Sequence, residues 1–238
     1  MSSSIKNEKD WLTCKQPSDM VNFLREHFRS SRKKFGQRKA RLFVVACCRH
    51  VWPQFKDDRA RHAIEVLELY ADGKASPQEL QAAEAAAADV DKGFVMALGI
   101  IRNVRTRTKA QIGHQSKRPL PVWLKAELAT SIPALTAGHP RSVGSEERHL
   151  ANLLRDIFGN PFSAVTLDRA CQTSEVVALA QSIYDDRDFG KLQTLAKALR
   201  DSGCVDKAVL NHCRTKGPHV RGCWVVDLVL SGVRSRSK

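Results

Sequence analysis

Helix start and stop signals recur along the whole chain, and between them apolar residues return at three-and-four spacing, the period of a helix with one buried face. Ser18, after Pro17, opens a helix through Met20, Phe23, Leu24 and His27. A second runs over 37–52 and is ended by Pro53. Asp57 or Asp58 caps a third, with Ala60, Ala63, Ile64, Leu67 and Tyr70 or Ala71 on one face and Gly73 as its stop. Ser76-Pro-Gln-Glu79 is a capping box with proline at the first helical position, and an alanine-rich helix follows to about Val90. Further helices are expected from Ser145 to Phe158, from Thr173 to Asp186, from Phe189 to Leu199 and, capped by Asp206, from Lys207 to Cys213. The segment His219–Leu230 is almost entirely apolar and has to be buried in a soluble fold. The fold class is therefore all-α, a helical bundle or short helical array of about eight to ten helices. Residues 1–137 form an N-terminal helical region, 138–144 a turn-rich linker, 145–232 a C-terminal helical module and 233–238 a basic tail.

A chain of 238 residues with 42% hydrophobic and 27% charged residues is globular, not disordered or collagen-like. No apolar run approaches the roughly 18 residues of a membrane span, and no apolar stretch follows the basic residues near Met1. Seven cysteines, an odd number, suit a reducing compartment, so the expected location is the cytoplasm.

The formal net charge is +14, and it is unevenly placed. Residues 1–61 hold 15 basic and 6 acidic side chains, residues 62–101 hold 2 and 7, and residues 102–149 hold 9 and 3. Two basic stretches result. One contains Arg32, Lys33, Lys34, Arg38 and Lys39; the other contains Arg102, Arg105, Arg107, Lys109, Lys117 and Arg118, much of it on an exposed loop over 106–121. Such surfaces attract polyanions, because neutralising phosphates releases condensed counterions. Few aromatics interleave the charges, so the contacts expected are with nucleic-acid backbone and without sequence preference.

The densest group of potential metal ligands is Cys204, His212, Cys213, His219 and Cys223. Zinc takes four nitrogen or sulfur donors, and the spacing brings four within reach, but the arms are irregular and no CxxC pair exists. Core cysteines with two hydrogen-bonding histidines are the reading placed ahead of zinc. Asp227, inside Trp224-Val-Val-Asp-Leu-Val-Leu, needs a partner, and a structural ion pair with Arg221 is expected, with Arg155 and Arg200 as other candidates. The chain holds no GxGxxG, GxxxxGK[ST], GxSxG or HExxH motif and no paired-carboxylate motif.

Three segments of the C-terminal third stand out together: Leu153-Leu-Arg-Asp-Ile-Phe-Gly-Asn-Pro-Phe162, the stretch Ala178–Asp186 ending Ile-Tyr-Asp-Asp, and Gly217-Pro-His-Val-Arg-Gly-Cys-Trp-Val-Val-Asp-Leu228. With Trp11-Leu-Thr-Cys14, Arg41-Leu-Phe43, Ala46-Cys-Cys-Arg49 and Tyr70-Ala-Asp-Gly73, they resemble a paralogous family of uncharacterised bacterial proteins of planctomycete type. The resemblance spans both ends of the chain and implies no activity, cofactor or catalytic residue.

The functional expectation is a non-enzymatic helical interaction or adaptor protein with a protein partner and no membrane. The alternative is a basic helical protein that binds DNA or RNA through the backbone. A zinc-binding protein, or an enzyme of unassigned reaction, is the third reading.

Overall fold

The computed structural model describes residues 4–28, 33–87, 126, 129–130 and 143–234. Among them the chain is all-α, with ten helices and no strand: α1 (Glu8–Thr13), α2 (Pro17–His27), α3 (Lys33–His50), α4 (Asp58–Ala71), α5 (Pro77–Ala87), α6 (Val143–Phe158), α7 (Ser174–Asp186), α8 (Leu192–Asp201), α9 (Lys207–Arg214) and α10 (Trp224–Arg234). No helix of the described residues is long and apolar enough to cross a membrane.

Local chemistry explains several helix starts. Asp57 accepts the Arg59 amide at 2.9 Å and caps α4. The capping box before α5 is reciprocal: the Ser76 amide donates to Glu79 Oε2 at 2.7 Å and the Glu79 amide donates to Ser76 Oγ at 3.2 Å. Thr173 caps α7 through the Val176 amide, and Asp206 caps α9 through the amides of Ala208 and Val209. Some boundaries differ from the local signals. Pro17 is the first residue of α2, where its missing amide costs nothing, so the cap falls on Gln16 and not on Ser18. Helix α3 starts at Lys33 and ends at His50, with Trp52–Gln54 a short 3-10 turn around Pro53. Only the second half of the apolar segment His219–Leu230 is helical, since α10 begins at Trp224.

The chain divides into two compact units, the first made of Met1–Lys6 and Thr13–Ala151, the second of Asn7–Leu12 and Asn152–Lys238. The division falls inside α6 and sends most of α1 to the second unit. In the first unit α3 packs on α4 and α4 on α5. Phe43, Val45 and Cys47 of α3 and Ala60, Ala63 and Ile64 of α4 are buried there. The buried acid Glu68 is paired with Arg49 at 2.8 Å, and the Arg49 guanidinium lies over the Trp52 ring.

The second unit packs α7 against α8 and α10, and α9 against α8 and α10. Its core joins Val176, Ala180 and Ile183 of α7, Leu192, Leu195 and Leu199 of α8, Val209 of α9 and Val225, Val226 and Val229 of α10. Trp11 of α1 is fully buried, and its indole donates to the Gly159 carbonyl at 3.0 Å. Gly159 has φ +68°, and a Cβ there would lie 3.1 Å from Trp224 Cγ, so both backbone and packing call for glycine.

Candidate metal centre

The second unit contains a buried convergence of four donor side chains: Asp156, His212, His219 and Cys223, whose potential ligand atoms all lie within 4.8 Å of one another. It is the one such group of three or more among the described residues. Each donor is placed by a different local device. Asp156 sits in the last turn of α6, between the buried Leu154 and Ile157. His212 lies in the last turn of α9. His219 stands in the loop Thr215–Cys223, which turns at Val220–Cys223 through a 2.9 Å bond from the Cys223 amide to the Val220 carbonyl. Gly222, at φ +94°, makes that turn possible. Cys223 directly precedes α10, and its carbonyl accepts the first intrahelical bond, from the Asp227 amide, so its sulfur occupies the N-cap position.

Asp156 Oδ1 is the hub. It lies 2.7 Å from His219 Nδ1 and 3.1 Å from His212 Nε2. His212 Nε2 is also 3.2 Å from Cys223 Sγ. The other carboxylate oxygen, Oδ2, accepts the Val220 amide at 3.0 Å. The far nitrogen of His219, Nε2, meets the Thr215 carbonyl at 3.0 Å. Burial works to raise the Asp156 pKa, and the hydrogen bonds from His212 and His219 more than reverse it, so the carboxyl lies below its ordinary range. Burial lowers the His219 pKa, while its bond to Asp156 raises it, and the net direction is up. The Cys223 thiol is pushed well above its ordinary value, chiefly by burial; the amides of Val225 and Val226, which point at the sulfur, pull the other way.

Loop and rim residues hold this arrangement. The Arg221 guanidinium donates to the carbonyls of Tyr184 and Asp185, each at 2.9 Å, and lies over the Tyr184 ring. Trp224 packs its indole 5.1 Å from the His212 ring, and the two imidazoles meet edge to face at 4.9 Å.

Of the five residues the sequence offers as zinc ligands, the structure brings together His212, His219 and Cys223. Cys204, Cys213 and Cys223 all lie in the apolar core of the same unit, but Cys204 and Cys213 stand outside the donor group, and burial pushes the Cys213 thiol up to about 12. Helix geometry accounts for this, since neighbours in α9 point about 100° apart and only one of His212 and Cys213 faces a given point. Asp156 is absent from that sequence set; the signal for it was a lone acid among Leu153, Leu154, Ile157 and Phe158, all of them buried. Asp227 is half-buried in the first turn of α10.

The described part of the basic set is distributed differently. Lys34 is exposed at the start of α3. Arg38 pairs with Asp72 at 2.9 Å, and Lys39 is buried, with its ammonium over the Phe35 ring. Lys33 is in the first turn of α3. Arg32, Arg102, Arg105, Arg107, Lys109, Lys117 and Arg118 lie outside the described residues.

Comparison of the chain with protein-family models, with curated proteins and with solved structures finds no match.

Chemically the cluster is poorly suited to nucleophilic catalysis. Cys223 has no solvent exposure and a raised thiol pKa, so little thiolate is available to attack a substrate. A Cys-His-Asp relay needs the two ring nitrogens of one histidine to face nucleophile and orienter separately. Here the same nitrogen, His212 Nε2, faces both Cys223 and Asp156. Donors that converge on one point from four side chains suit the coordination of a cation.

Proposed function

We propose that this protein is a non-enzymatic helical module whose second unit binds a divalent transition-metal ion through Asp156 Oδ1, His212 Nε2, His219 Nδ1 and Cys223 Sγ. The observation that carries the reading is the mutual approach of these four atoms to within 4.8 Å in a largely buried cluster of side chains. Tetrahedral zinc, with bonds of about 2.0–2.3 Å, separates its donors by roughly 3.3–3.8 Å, so an ion fits once the 2.7 Å Asp156–His219 pair opens by about half an ångström and the widest pair, up to 4.8 Å, closes by about one. Two orienting partners support it. The Thr215 carbonyl opposite His219 Nε2 fixes the tautomer that leaves Nδ1 free for metal, and the Val220 amide on Asp156 Oδ2 leaves Oδ1 as the ligand atom.

The test is metal content. The full chain, stripped with a chelator, dialysed against micromolar Zn²⁺ and freed of excess, is expected to retain one equivalent by elemental analysis. Asp156→Asn combined with Cys223→Ser is expected to retain none. Retention unchanged in the double variant, or no retention by the wild type, contradicts the reading.

A further inference from the structure

We propose that the centre is closed: one ion of the zinc class held by four protein donors, with no coordination position for water, so that it fastens the loop Thr215–Cys223 and α9 to the end of α6. This rests on the metal-binding reading above and adds the class of ion and the type of site.

Four features lead there. The first is ligand count. Catalytic zinc keeps three protein ligands and one open position, whereas structural zinc takes four, and four donors converge here. The second is shielding. Cys223 is 0% exposed, and the side chains of Asp156, His219 and His212 are 3%, 9% and 16% exposed, with the Trp224 ring packed on His212. Water therefore has little access to a fifth position.

The third feature is donor softness. Two imidazoles, one thiolate and a single carboxylate oxygen match zinc and cobalt(II), while magnesium and calcium call for shells of oxygen. The fourth is charge. A divalent ion with one carboxylate, one thiolate and two neutral imidazoles sums to zero, the state that burial favours. The sulfur stands at the N-cap of α10, where the helix dipole favours negative charge.

Cobalt(II) titration of the chelator-stripped full chain is the experiment. One equivalent is expected to produce the visible bands of tetrahedral cobalt and a sulfur-to-cobalt charge-transfer band, and excess azide is expected to leave both unchanged. Cys223→Ser should lose the charge-transfer band and Cys213→Ser should keep it. Cobalt that binds with weak octahedral-type bands, or with bands that move on adding azide, overturns the closed site and leaves metal binding intact. A charge-transfer band that follows Cys213 overturns the ligand set. No uptake at all overturns both the closed site and the metal-binding reading.

Discussion

His219 Nδ1 and Asp156 Oδ1 are 2.7 Å apart, and the other nitrogen of the same ring faces the Thr215 carbonyl at 3.0 Å. Both ring nitrogens thus meet acceptors. Without metal, the partners require an imidazolium paired with a buried carboxylate; with metal, the Nδ1 proton is the one displaced. The pair is therefore structural in one state and coordinating in the other, and its removal has measurable consequences in each.

Asp156→Asn keeps the size of the side chain and removes its charge. In the metal-free protein this breaks a buried ionic pair and is expected to cost about 3 kcal/mol in urea unfolding. A loss below about 0.5 kcal/mol, typical of exposed pairs, would place the carboxylate in water.

Thiol reactivity follows burial. Cys14 is half-exposed, and Cys47, Cys48, Cys171, Cys204, Cys213 and Cys223 are buried. Under native conditions a thiol reagent such as DTNB is expected to titrate one rapid equivalent, and Cys14→Ser is expected to abolish it. Rapid reaction of several thiols in the folded protein would contradict the packing described.

In the first unit His149 stacks on His50, with ring centroids 4.0 Å apart. Burial lowers the His149 pKa below its ordinary 6.5, and neighbouring His50 lowers it further. The unfolded chain then binds the proton more readily. The His149 contribution to stability is expected to be fully present above pH 6.5 and to be lost as pH falls from there through the lowered folded value. Denaturant unfolding of the wild type and of His149→Phe across this window checks the sign: the variant should lose part of the slope, and an identical slope would remove His149 as its source.

Gly159 and Gly203 both have positive φ, at +68° and +92°, but only Gly159 has a neighbour against the missing Cβ, the Trp224 ring at 3.1 Å. Alanine at either position carries a backbone cost of about 1–2 kcal/mol. Gly159→Ala is expected to exceed Gly203→Ala by a further 1 kcal/mol or so, the range of overpacking, in thermal or urea unfolding. Equal losses would mean that Trp224 moves aside freely.

The helices were largely legible because their signals are local. The reciprocal box of Ser76 and Glu79, the caps at Asp57, Thr173 and Asp206, and the stop at Gly73 all lie within three or four residues of what they control. The candidate site was legible in part for the same reason. His212, His219 and Cys223 fall within one short stretch of sequence, whereas Asp156 arrives from α6, 63 residues before His219. Nothing local marks that meeting; it is made by tertiary packing of the second unit. Density of His and Cys alone also drew in Cys204 and Cys213, whose side chains serve the apolar core, as small hydrophobes do.

The most direct test of the account is thermal unfolding of the chelator-stripped full chain with rising Zn²⁺. Binding to the folded state alone should stabilise it by about 4 kcal/mol at a thousand times Kd, raising Tm progressively, with no response to Mg²⁺ and none in Asp156→Asn or Cys223→Ser. A wild-type Tm that does not move with Zn²⁺, or moves equally in both variants, would contradict a metal centre at Asp156, His212, His219 and Cys223.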